Sequence, residues 1–103
     1  MMNSIVLVGK LAEIKDVNEE TILTIACPRQ FKNSDVEYGT DFIDVKLFGQ
    51  VSEYTKEYCK KGDTIGIKGR VQTKVIDDKK ITELVAEKIT FLTSNPSIKK
   101  EEE

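Results

Sequence analysis

Two short runs of this 103-residue chain carry side chains that could act on another molecule. In Asp41 to Phe48 a period of two puts Ile43, Val45 and Leu47 on one face and Phe42, Asp44, Lys46 and Phe48 on the other. The first face is a plain aliphatic core. The second sets two aromatic rings beside a lysine, and an exposed ring is a stacking platform for a base. Such stacking is worth ~1–3 kcal/mol per base and tolerates any sequence, since every base has a π-face. The same rings could instead cover a barrel rim or an interface between subunits, and position alone leaves both open. In Thr64 to Val75, Ile65, Ile67 and Val71 share one face, while Lys68, Arg70, Gln72 and Lys74 share the other. No acid interrupts that basic stripe along the strand. A groove that tracks a phosphate backbone needs this pattern, although a solvated face would look alike. Aromatics and cations together point to nucleic acid more strongly than either alone.

Other chemistry is poorly supported. The chain has no His, which excludes His-based triads and His-ligated metals. Cys27 and Cys59 are far apart and suit reduced thiols better than a zinc site or a disulfide framework. Gly66-Ile67-Lys68-Gly69 has the spacing of a phosphate-clamping GxxG loop but sits inside a strand pattern. Asp77-Asp78 and Glu101 to Glu103 lack the spacing of a hard-cation loop. Nothing matches a phosphate-cradling GxxxxGK or an activated nucleophile. The expectation is a binding protein, not an enzyme, with no cofactor and no metal.

The elements that must position these residues follow from composition and period. An apolar fraction of 39% with 33% charged residues and a net charge of −2 fits one globular domain with its own core. No run approaches the ~20 apolar residues of a membrane span, and no targeting leader is visible, so a cytoplasmic location is expected. Strands are expected over residues 3 to 11, Thr21 to Cys27 (ended by Pro28), Asp41 to Phe48, Thr64 to Val75 and Ile81 to Leu92. Phe31 to Thr40 reads as a polar loop, and Asp77 to Lys80 as a turn. Val51 to Lys60 changes to a helical period with Val51, Tyr54 and Tyr58 on one face, closed by Gly62 as a C′ residue. The order is all-β, with one short helix between strands three and four. That is the plan of a five-stranded OB-fold barrel, whose coiled strands suit interior glycines at Gly9, Gly66 and Gly69. A generic five-stranded sandwich also fits the pattern. Residues 1–93 form the domain in this reading, and 94–103 a polar disordered tail.

Several blocks resemble the bacterial single-stranded DNA-binding protein family: Asn3-Ser4-Ile5-Val6-Leu7-Val8-Gly9-Lys10-Leu11, Asp41 to Gly49, Tyr58-Cys59-Lys60-Lys61-Gly62-Asp63, Gly69 to Lys74 and Thr82 to Ile89. They occur in the family's order and cover nearly all of residues 2 to 92. The resemblance implies an OB-fold that oligomerises, as a homo-tetramer or dimer, and coats single-stranded DNA without sequence preference in replication, recombination and repair. By position it implies base stacking on Phe31, Phe42 and Phe48 and near Ile76, where this chain has no aromatic. With the basic stripe, the expected interface is Phe31, Phe42, Lys46, Phe48, Lys68, Arg70, Gln72 and Lys74. The hairpin Val75 to Ile81 is short for the family. The tail lacks the family's partner-recruiting acidic end with Pro-Phe, so coating without that recruitment is expected. A primosomal accessory protein of the same fold, or an OB module for protein–protein assembly, stays open.

Overall fold

The computed structural model describes residues 1–32 and 38–93, and the side chains of these except 30–32, 38 and 93. Five strands and one helix follow in the order β1 (Ile5–Val17), β2 (Glu20–Lys32), β3 (Tyr38–Leu47), α1 (Gly49–Tyr58), β4 (Thr64–Ile76) and β5 (Lys79–Thr93). The strands close into a barrel in the order β1-β2-β3-β5-β4. All neighbours are antiparallel except β3 and β5, whose parallel contact at Lys46 and Val85 closes the ring.

Closure depends on β1 serving two partners. Ile5 to Lys10 pairs with β4, and Lys10 to Val17 pairs with β2. Gly9 lies at the changeover, where a Cβ would overlap the Ala26 carbonyl. Gly69 does the same at the β-bulge between β4 and β5, where a Cβ would overlap the Val85 carbonyl. Each glycine therefore permits a close backbone approach that any side chain would block. Alternate residues of the strands fill the interior: Leu11, Leu23, Ile25, Val45, Leu47, Ile65, Ile67, Ala86 and Ile89 form one buried cluster. Burying a Leu or Ile side chain fully stabilises by about 1.5–3 kcal/mol, so this cluster dominates the fold's stability.

The strands run longer than their sequence pattern suggested. β1 extends to Val17, and two-residue turns at Asn18-Glu19 and Asp77-Asp78 have positive φ at both positions. That is the geometry that matches strand twist in tight hairpins. Pro28 does not end β2; it pairs across from Thr40, and β2 runs on to Lys32. Part of the expected Phe31–Thr40 loop is thus strand, and residues 33–37 of it lie outside the described residues.

The helix also differs in detail. Its buried residues are Ser52 and Thr55, with Val51 half-buried and packed on the core, whereas Tyr54 and Tyr58 stand exposed with ring centroids 5.0 Å apart. Small polar residues face inward because each finds a partner there. Thr55 Oγ1 donates to the Val51 carbonyl at 2.7 Å, and Ser52 Oγ donates to Thr21 Oγ1 at 2.9 Å. The helix is capped by Cys59 in extended conformation, not by Gly62 as C′. Gly62, at φ +96, instead shapes the following turn and donates its N–H to the Leu11 carbonyl at 2.8 Å, pinning the turn to β1.

Candidate nucleic-acid interface

Register places Thr40, Phe42, Asp44 and Lys46 of β3 on the outside of the barrel. Ile22 faces Lys46, Thr24 faces Asp44, and Ala26 faces Phe42 across β2 and β3. Phe42 is 68% exposed because its neighbour Ala26 is too small to cover a ring. Phe48 follows the last β3 residue, but its backbone stays extended (φ −130, ψ 149), so the alternation carries its ring to the surface at 48% exposure. Both rings point away from the core. At ~3.3 Å per residue they bracket roughly 20 Å of strand, with Asp44 and Lys46 between them. A groove of about 370 Å³ beside Phe42 is lined by Ile22, Asp44, Lys46, Thr82 and Glu83.

The basic stripe of β4 is present, but β5 supplies the acids that the strand itself lacks. Gln72 lies directly opposite Glu83. The Glu83 side chain, only 8% exposed, pairs with Lys46 Nζ and with Lys74 Nζ (2.7 Å), and accepts a hydrogen bond from Gln72 Nε2 at 3.1 Å. These contacts, Lys46 first and then Lys74 and Gln72, draw its pKa from the ordinary 4.5 down to about 2. Lys46 is also held by Glu20 at 3.1 Å, and its side chain is 14% exposed. Its pKa is pushed above the usual lysine value, chiefly by Glu83 and against the effect of burial. Nearer the bulge, Arg70 pairs with Glu87 at 3.3 Å and donates to Gln72 Oε1 at 3.3 Å. Lys68, exposed on the far side of the bulge, makes no ion pair among the described residues.

Of the eight expected residues, the structure therefore gathers Lys46, Gln72 and Lys74 around one carboxylate, with Arg70 hydrogen-bonded to Gln72 at its edge. It leaves Phe42, Phe48 and Lys68 open. Phe31 lies in β2, and its side chain is outside the described residues. Around Ile76 the surface is apolar without a ring: Val75, Ile76 and Ile81 are all exposed. Sequence reasoning missed Glu20, Glu83 and Glu87, which face the stripe from other strands. It also missed two exposed cations. Lys10 continues the row formed by Ala26 and Phe42, and Lys88 lies opposite Lys68. A register drawn from the Asp77-Asp78 turn would have found Glu83 opposite Gln72, whereas the bulge between Lys68 and Gly69 shifts the register before Lys88.

Among the described residues the two thiols are not activated. Burial, with Asp41 nearby, raises the Cys27 pKa, and burial, with Asp63 nearby, raises that of Cys59, so both thiols stay protonated. Among the described residues no group of three or more His, Cys, Asp or Glu side chains could hold a metal ion. No helix among them is long and apolar enough to cross a membrane.

The model of the single-strand binding protein family matches residues 2–92. "Single-stranded DNA-binding protein 1" of Clostridium acetobutylicum is 36% identical over 88% of this chain and 94% of its own. "Single-stranded DNA-binding protein B" of Bacillus subtilis is 30% identical over 93% and 95%. Among solved structures, a small single-stranded DNA binding protein from Mycoplasma pneumoniae superposes with a TM-score of 0.70 at 23% identity, covering 92% of this chain and 99% of that one. A Plasmodium falciparum relative in complex with single-stranded DNA gives a TM-score of 0.68 at 20% identity, over 89% and 96%. These two likenesses speak for the OB-fold barrel. The chain belongs to the single-strand binding protein family.

Proposed function

We propose that this protein binds single-stranded DNA without sequence preference, stacking bases on Phe42 and Phe48 and holding the backbone with cations around them. The observation that carries the proposal is the pair of phenylalanines, Phe42 and Phe48, that the alternation of one extended segment turns outward at 68% and 48% exposure. An exposed ring between a lysine and small neighbours loses little in solvent and gains ~1–3 kcal/mol against each base it stacks on. Phe31, Lys68, Arg70, Gln72 and Lys74 complete the proposed interface, with Lys46 held behind them by Glu20 and Glu83. The proposed biological setting is coating and protection of DNA during replication, recombination and repair; the names its relatives carry speak of single-stranded DNA binding. Fluorescence anisotropy with labelled dT, dC and mixed oligomers tests the reading. Similar affinity for all three supports it, and binding to none overturns it.

The proposed working unit is a homo-oligomer, a tetramer or a dimer. Val6 and Val8, 72% and 55% exposed, stand on the outer side of β1, which leaves an apolar strip that a second subunit would cover. Sedimentation at micromolar concentration should show a species well above the 11.6 kDa monomer. A monomer alone would contradict it.

A further inference from the structure

We propose that Glu83 is a built-in counter-ion of the binding face: it competes with DNA phosphate for Lys74, keeps Lys46 as a structural cation, and thereby limits both affinity and salt dependence. The inference rests on the reading that this face takes single-stranded DNA. Lys46, Lys74, Glu20 and Glu83 form a cluster of two cations and two carboxylates, so the centre of the stripe presents no net charge to a phosphate. Glu83 cannot swing away to make room. Strand pairing sets it opposite Gln72, Gln72 holds its second oxygen at 3.1 Å, and its side chain is 8% exposed.

The two lysines differ in what they can do. Lys46 is 14% exposed and touches two carboxylates, so a phosphate would have to break both contacts to win it. Lys74 is 40% exposed and, among the described residues, its one ion pair is with Glu83, so it can turn outward. A phosphate that reaches the Lys74 ammonium still meets the Glu83 charge beside it, and the like charges repel. The Arg70–Glu87 pair lacks this constraint. Both its members are more than 40% exposed, water screens them, and the guanidinium can change partners at little cost.

The test is anisotropy with a labelled dT oligomer across a salt series, using wild type, Glu83→Gln, Glu87→Gln and the Glu83→Gln/Lys74→Gln double variant. Glu83→Gln keeps the shape and one acceptor oxygen while removing one negative charge. It should tighten binding roughly three- to tenfold at low salt, an effect of the size expected for one partly screened charge. It should also steepen the slope of log K against log salt by roughly 0.7 per subunit. Most of both gains should vanish in the double variant, and Glu87→Gln should shift binding less. Melting curves establish that the variants are folded. Should Glu83→Gln fail to fold, the single variants Lys74→Gln and Lys68→Gln decide the matter: the loss at Lys74 should be the smaller, and a larger one overturns the proposal. Wild type that binds, with Glu83→Gln unchanged or weaker, overturns this inference alone. Wild type that binds no oligomer overturns the single-strand reading itself.

Discussion

On β3 and just past its end, Phe42 and Phe48 hold their rings toward solvent with no ion pair to give up when a ligand arrives; across the same face, Arg70, Gln72 and Lys74 already have partners on β5. The difference separates two kinds of contribution to binding. A ring that stacks on a base adds a new contact. A lysine that turns from Glu83 to a phosphate exchanges one anion for another, and only the surplus counts. Residues that look equally suited to nucleic acid in a sequence are therefore unequal once their partners are known.

The largest expected effects lie on the open side. Phe42→Ala and Phe48→Ala should each weaken binding to a dT oligomer by ~1–3 kcal/mol. Their melting temperatures should change little, because rings this exposed contribute little to the core. A large drop in melting temperature with unchanged affinity would assign these rings to a structural interface and erase the contrast.

Smaller effects sharpen the contrast among cations. Lys68→Ala, which removes a cation with no ion pair among the described residues, should flatten the salt slope by roughly 0.7 per subunit. Lys74→Ala and Arg70→Ala should each flatten it less, since both are already neutralised by Glu83 and Glu87. All three losses should be alike on dT and dC oligomers, because phosphate contacts carry no base information.

The same cluster should also show in acid stability. The Glu83 pKa is lowered in the folded state to about 2 from 4.5, so the stability it lends is fully present above the unfolded value. It is lost as pH falls through the window from about 4.5 to about 2. Wild type should therefore unfold more easily across that window than a Glu83→Gln variant does relative to its own neutral-pH stability. Urea midpoints measured between neutral pH and pH 2 check this. Parallel curves for the two proteins would mean that the cluster contributes nothing.

Much of this arrangement is legible in the residues. The alternation in Asp41 to Phe48 is strict, so the core face and the ring-bearing face separate at once, and Phe48 keeps its side even past the strand end. The change of period after Gly49 places the one helix correctly between β3 and β4. What escapes a reading along the chain is whatever depends on a second strand. Pro28 suggests a strand end, yet it tolerates a place in the ladder opposite Thr40. Tyr54 and Tyr58 suggest a buried helix face, yet the space against the barrel admits only Val51, Ser52 and Thr55. Above all, the stripe of Lys68, Arg70 and Lys74 contains no acid, while Glu83 and Glu87 approach it from β5. Charge patterns along one strand describe half of a surface.

In the proposed function, exposed phenylalanines carry the sequence-tolerant part of single-strand binding. The most direct measurement compares wild type and Phe42→Ala on dT and dC oligomers at high salt, where phosphate contacts are screened and stacking persists. The account predicts that wild type keeps measurable, similar affinity for both oligomers and that Phe42→Ala loses most of it. Wild-type binding that disappears as salt rises, or a Phe42→Ala variant that binds as wild type does, would contradict it.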